Sequence, residues 1–134
     1  MNDWILSVGN LRTSPTAKGT RPAKWWAVVD VDTEIGKYFR SLRKLNHPYF
    51  PHIVRPAWNE HITVVRNEEP TNKNLWDSLN GRSFEFSYSN ITENDGKHYW
   101  MPVRCDLLLD IREELGLPRN PHFPLHLTIG FITE

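Results

Sequence analysis

A chain of 134 residues with 39% apolar and 24% charged residues is long enough for one domain with a buried core and too apolar for long disorder. Sixteen Lys and Arg balance sixteen Asp and Glu, which argues against a protein that coats polyanions indiscriminately. The single cysteine, Cys105, excludes an intrachain disulfide framework and a Cys-rich zinc site.

Trp4 to Leu11 alternates weakly and reads as a short strand. Residues 12–24 are rich in Thr, Ser, Pro, Gly and basic residues and read as a loop. Trp25 to Val31 is an apolar run broken only by Asp30, too short for a buried helix and rich in β-formers, which predicts a central strand. Asp32 and Thr33 are helix-capping residues. Ile35, Phe39, Leu42 and Leu45 then recur at helical spacing, with Arg40, Arg43 and Lys44 expected on the other side. Pro48, Pro51 and Pro56 make 46–58 a loop, and Glu60 to Arg66 is a second strand.

Thr71 to Leu79 reads as a short helix stopped by Asn80-Gly81. Phe84, Phe86 and Tyr88 alternate with polar residues as a half-buried strand. A turn at Asn94-Asp95-Gly96 leads to a strand over His98–Arg104, so 83–104 is a hairpin or close pair. Leu107, Leu108, Ile111 and Leu115 mark a helix over 106–115, ended by Gly116 and Pro118. Leu125 to Ile132 is the last strand. The expected class is α+β, a single domain over 1–134. Met1 to Trp4 has no basic region followed by an apolar run, so no signal peptide is expected. No stretch approaches the roughly 18 apolar residues of a membrane span. The expected compartment is the cytoplasm, with no membrane and no obligate protein partner.

One four-residue pattern occurs twice, 65 residues apart: His61-Ile62-Thr63-Val64 and His126-Leu127-Thr128-Ile129. Both fall on predicted strands. Side chains alternate along a strand, so each motif shows a His and a Thr on one face and two apolar anchors on the other. An imidazole exchanges protons near neutrality. One neutral His can take a proton from a water or a ribose hydroxyl, and an imidazolium can protonate the leaving oxygen. Thr hydroxyls can hydrogen-bond the non-bridging phosphate oxygens. That is metal-free phosphodiester chemistry, with no cofactor and no metal. A single H-x-T would read as an ordinary strand; two matching copies carry the functional reading.

The paired motifs resemble those of the 2H phosphoesterase superfamily, over roughly Trp25 to Phe131. That superfamily includes RNA 2′,3′-cyclic phosphodiesterases, 2′-5′ RNA ligase-like proteins, 2′-5′ oligoadenylate phosphodiesterases and phage nucleases that destroy cyclic oligonucleotide immune signals. The resemblance implies two pseudo-symmetric lobes of mixed sheet with helices outside and a central cleft. His61, Thr63, His126 and Thr128 match its functional positions. It implies a nucleotide, a cyclic oligonucleotide or an RNA end as substrate. Members often carry further helix and strand after the second motif; here an edge strand supplied by Trp4–Leu11 would substitute.

Other residues are weaker candidates. Residues 1–66 carry a net charge of +5 and residues 67–134 a net of −5. Either the first half holds an anion-binding face or the two halves attract each other. Lys18, Arg21 and Lys24 form a basic lid over a phosphate cleft or a solvated loop. Tyr99, between His98 and Trp100, is the aromatic expected to stack a base, although most aromatics of so small a chain belong in its core. One of Trp25 and Trp26 lines the cleft. His122 would share a face with His126 in an extended chain, as a substrate group or a loop residue. Arg66, if alternation holds, faces away from His61. Cys105 at a helix start is a conceivable nucleophile without a visible partner. The rival reading is a nucleotide- or RNA-binding module without catalysis. An ester hydrolase lacks its nucleophile motif.

Overall fold

β-Branched and aromatic residues at alternate positions build the strands, and three amphipathic segments build the helices. The computed structural model describes residues 3–15, 24–46, 53–56 and 59–132. In chain order the elements are β1 (Trp4–Thr13), β2 (Ala27–Asp30), α1 (Thr33–Asn46), β3 (Ile53–Val54), β4 (His61–Val65) and α2 (Lys73–Trp76), which runs into a 3₁₀ turn at Asp77–Leu79. There follow β5 (Ser83–Ser89), β6 (Glu93–Asn94), β7 (His98–Arg104), α3 (Asp106–Glu114) and β8 (His126–Ile132). The protein is α+β and mostly sheet.

Six strands close into an antiparallel barrel in the order β1–β2–β4–β8–β7–β5 and back to β1. Short β3 adds to the end of β8, and β6 to the start of β7. With the two-residue strands β3 and β6 left aside, the order strand, strand, helix, strand occurs twice, as β1–β2–α1–β4 and β5–β7–α3–β8. The N-terminal strand is no substitute edge beside β8. It pairs with β2 and, over seven residues, with β5, where it closes the ring. Closure gives each of the six ring strands a partner on both sides.

Leu11, Val29, Ile62, Phe86, Met101 and Leu127, one from each ring strand, are buried in a single apolar cluster. The helices cover opposite ends of it. Phe39 of α1 meets Tyr88 with ring centres 6.3 Å apart, and the Arg43 guanidinium lies 4.7 Å from the centre of the Tyr99 ring. At the other end Trp76 of α2 packs edge-on against Trp25 at 5.4 Å, and α3 buries Leu108 and Ile111.

The buried face of α1 differs from the expectation. Gly36 and Phe39 are buried, while Leu42 is 38% and Leu45 79% exposed. Glu60, immediately before β4, is fully buried, and α1 turns its Arg40 toward that carboxylate. A buried carboxylate without a cationic partner costs several kcal/mol, of order ~3–5 on removing one partner of such a pair. A Cβ at position 36 would collide with the Glu60 side chain, so glycine is required there for the helix to approach. On α3, Leu107 is exposed and Arg112 takes the buried place.

Candidate active site

β4 and β8 lie side by side, and their register places the two motifs against each other. His61 is opposite Thr128, and Ile62 is opposite Leu127. The same register sets Thr63 level with His126. Opposed residues of an antiparallel pair share a face, with Cα atoms about 4.5–5.5 Å apart. Ile62 and Leu127 enter the core. All four polar residues line one cleft of about 820 Å³ on the other face.

Both imidazoles are held in the same way. Nδ1 of His61 lies 2.7 Å from the Asn59 carbonyl, and Nδ1 of His126 lies 2.7 Å from the Pro124 carbonyl, each two residues upstream. A carbonyl only accepts, so each Nδ1 carries the hydrogen and donates it. That fixes the tautomer and leaves Nε2 as the nitrogen that exchanges protons. Burial pushes His61 below its ordinary value of 6.5. The Asn59 hydrogen bond and the Asp30 carboxylate raise it in part, and His126 and Arg66 lower it. Burial also lowers His126, against the Pro124 hydrogen bond and with a further contribution from Arg66. Both rings are therefore neutral in the free protein at pH 7.

Arg66 sits in the cleft, contrary to simple alternation along the strand. The pairing of β2 with β4 passes from Ala27–Val65 to Val28–Thr63 and skips Val64, a β-bulge. One extra residue shifts the alternation by one. Val64 and Val65 both enter the core, and Arg66 emerges on the His61 side. Its guanidinium lies 5.1 Å from the ring centre of Trp26 and 5.3 Å from that of Phe123. These two cation–π contacts aim a cation at the motif residues.

Across the sheet, a row of paired residues runs Asp30, His61, Thr128, Trp100, Glu93 from β2 to β6. Trp100 packs against His126 with ring centres 5.8 Å apart. The far end of the cleft is acidic, with Glu93, Asp95 and His98. Backbone N–H groups of His98 and Lys97 hold Asp95 down at about 2, and His98 Nδ1 lies 3.2 Å from its carboxylate.

The remaining candidates scatter. Tyr99 is corrected: it is buried beneath Arg43, on the face opposite the cleft, and the aromatic that lines the cleft is its neighbour Trp100. Of the tryptophan pair, Trp26 lines the cleft and Trp25 packs on Trp76. His122 is exposed beside the cleft, in a hollow of about 170 Å³ that shares Thr63, Arg66, Phe123 and His126 with it. Lys18 and Arg21 lie outside the described residues; Lys24 is stacked on Trp25 at 5.2 Å. Cys105 donates its thiol to the Glu85 carbonyl, and burial pushes the thiol up, away from a nucleophilic thiolate. Among the described residues no three His, Cys, Asp or Glu side chains gather as metal ligands, and no helix is long and apolar enough to cross a membrane.

Chemically, the cleft presents the two motif imidazoles with fixed tautomers, two hydroxyls, one guanidinium and an aromatic wall, with His98 and the carboxylates of Glu93 and Asp95 at its far end. Comparison of the chain with protein-family models, curated proteins and solved structures returns no match.

Proposed function

We propose that the protein is a metal-independent phosphodiesterase of the 2H type, acting on RNA ends or on cyclic or 2′-5′ oligonucleotides. The observation that carries the reading is the cross-strand register that sets His61 beside Thr128 and lines one cleft with both motifs. The twofold occurrence of strand, strand, helix, strand supports two related halves.

In the proposed reaction, Nε2 of one neutral imidazole takes the proton of the attacking hydroxyl as its oxygen bonds to phosphorus. The other imidazole, protonated, gives its proton to the leaving oxygen as the second P–O bond breaks. Thr63 and Thr128 donate to the non-bridging oxygens, and Arg66 offsets the added negative charge. The general acid needs a proton that neither ring holds in the free protein at neutral pH. A bound phosphodiester supplies the cause: an anion within a few ångströms raises the affinity of an imidazole for a proton.

The neutrality of both imidazoles also favours a second reading, a nucleotide-binding module without turnover. One experiment separates them. Wild type and His61→Ala are compared, in excess chelator, on RNA ending in a 2′,3′-cyclic phosphate, on 2′-5′ and 3′-5′ dinucleotides, and on cyclic di- and trinucleotides. Cleavage by wild type that His61→Ala loses supports the phosphodiesterase. Tight binding of one member with no cleavage of any favours the binding module.

A further inference from the structure

β8 carries a bulge equivalent to that of β4. Its pairing with β7 passes from Gly130–Tyr99 to Thr128–Trp100 and skips Ile129. Each motif is thus followed at once by a bulged apolar residue, Val64 or Ile129. A bulged residue is left unpaired in its ladder, so its carbonyl must find another donor. Both carbonyls find an arginine. Arg112 of α3 donates from Nη1 to the Val64 carbonyl at 2.9 Å. Arg40 of α1 donates from Nη1 to the Ile129 carbonyl at 2.8 Å.

The assignment is crossed. The helix that leads into β8 holds β4, and the helix that leads into β4 holds β8. Each arginine is in turn fixed by a glutamate. Arg112 makes two hydrogen bonds to Glu68, both 2.9 Å, and a third contact to the Pro118 carbonyl at 2.8 Å. Arg40 pairs with Glu60, the residue before His61. Arg112 is 1% exposed and Glu60 fully buried, so neither group is a surface ion pair whose worth would be slight.

We infer that Arg40 and Arg112 are positioning residues, each locking the bulge that sets one His–Thr pair against the other. This rests on the phosphodiesterase reading above. A bulge is a local choice of register, and a strand that lost it would turn its following residues to the other face. Without the Arg112 clamp, the Val64 bulge has no donor for its carbonyl, and Thr63 and Arg66 lose their fixed approach to the cleft. Arg40 does the same for Thr128, and through Glu60 it also ties down the start of β4.

Arg112→Lys tests this, since lysine keeps the charge but cannot make the forked set of bonds. Two readouts are taken: kcat and KM on the substrate found in the screen, and the pH titrations of the His61 and His126 ring signals by NMR, which need no turnover. The expected result is a fall of roughly tenfold to a hundredfold in kcat with KM little changed, as for small misplacement of reacting groups. Both titrations should shift, because Arg66, which loses its fixed approach, lowers both histidines. Glu68→Gln, which keeps Arg112, should show the same pattern more weakly. If Arg112→Lys fails to fold, Arg112→Met with Glu68→Met removes both charges at similar volume and is read in the same way. Wild-type kinetics and titrations in a folded variant would overturn the assignment. If no substrate is turned over, the phosphodiesterase reading fails, while the NMR titrations still decide the clamp.

Discussion

β4 and β8 carry the same pattern and the same kind of bulge, each bulge held by an arginine of its own, Arg112 or Arg40, yet their histidines have different neighbours. His61 is flanked on β2 by Asp30, which pairs across from it and is itself bound to Arg12 at 2.9 Å. His126 is flanked on β7 by Pro102 and packs against Trp100. His61 is 8% exposed, while His126 is half-buried. The register of the two strands fixes where the imidazoles stand. The flanking strand decides what each one feels, a carboxylate on one side and an aromatic wall on the other. Equal geometry with unequal surroundings is what a general acid and a general base require of two copies of one side chain.

The most direct way to break this comparison is to remove each histidine in turn. His61→Ala and His126→Ala should each lower turnover by about 10² or more, as expected for a lost acid or base. The double variant should fall little further than the worse single, because two groups that act in one transition state are not additive. Losses that multiply would mean that the two imidazoles work independently, and would separate the halves.

Arg66 belongs to both sides of the comparison, since its charge lowers both histidines. Arg66→Gln should weaken substrate binding roughly tenfold to a hundredfold, the worth of a hydrogen bond to a charged group. Both imidazoles should titrate at higher pH in the free protein. Movement of only one would show that Arg66 serves a single half.

Much of this site was legible in the sequence, because a His and a Thr two apart on a strand must share a face. Period-two patterning likewise placed β5 and β7, and helical spacing placed α1 and α3. The two bulges were not legible. Val64-Val65 and Ile129-Gly130 look like ordinary continuations of a strand, and only the partner strand reveals the skipped residue. Arg66 was missed for that reason. The place of Tyr99 is legible from parity: Tyr99, Met101 and Val103 alternate, and an apolar run of alternate residues marks the core face. Arg40 and Arg112 were hidden because an arginine on an amphipathic helix normally reads as solvated. Its burial becomes intelligible only with Glu60 or Glu68, which are remote in sequence. Ring closure by β1 and β5 leaves no local sign at all.

Asp30→Asn sharpens the comparison from the other side. Asp30 raises His61 and is not among the groups that move His126. The variant should lower the His61 titration further and leave His126 where it is, measured by NMR on the free protein. The limb of the pH–rate profile that follows His61 should move to lower pH. A shift of both histidines would mean that Asp30 acts through the cleft as a whole rather than across one pair of strands.

The smallest effect should appear in the stability of the free protein. Each histidine has a folded value below its unfolded value of about 6.5. The unfolded chain therefore binds more protons in that range, and stability rises with pH. The contribution is complete above the unfolded value and declines as pH falls through it toward the folded values. The carboxylates Glu68 and Asp95 are held low, Asp95 at about 2, and their contribution fades only below the ordinary carboxylate range. The interval between about pH 5 and 7 thus belongs to the imidazoles. Thermal denaturation should show a midpoint that falls from pH 7 to pH 5, and His61→Ala should flatten that fall more than His126→Ala, because His61 is the more deeply buried. Saturation with a non-hydrolysable phosphodiester should reduce the fall as well, since a bound anion favours the imidazolium that burial disfavours. A midpoint that rises on acidification would contradict the neutral imidazoles from which the catalytic assignment starts.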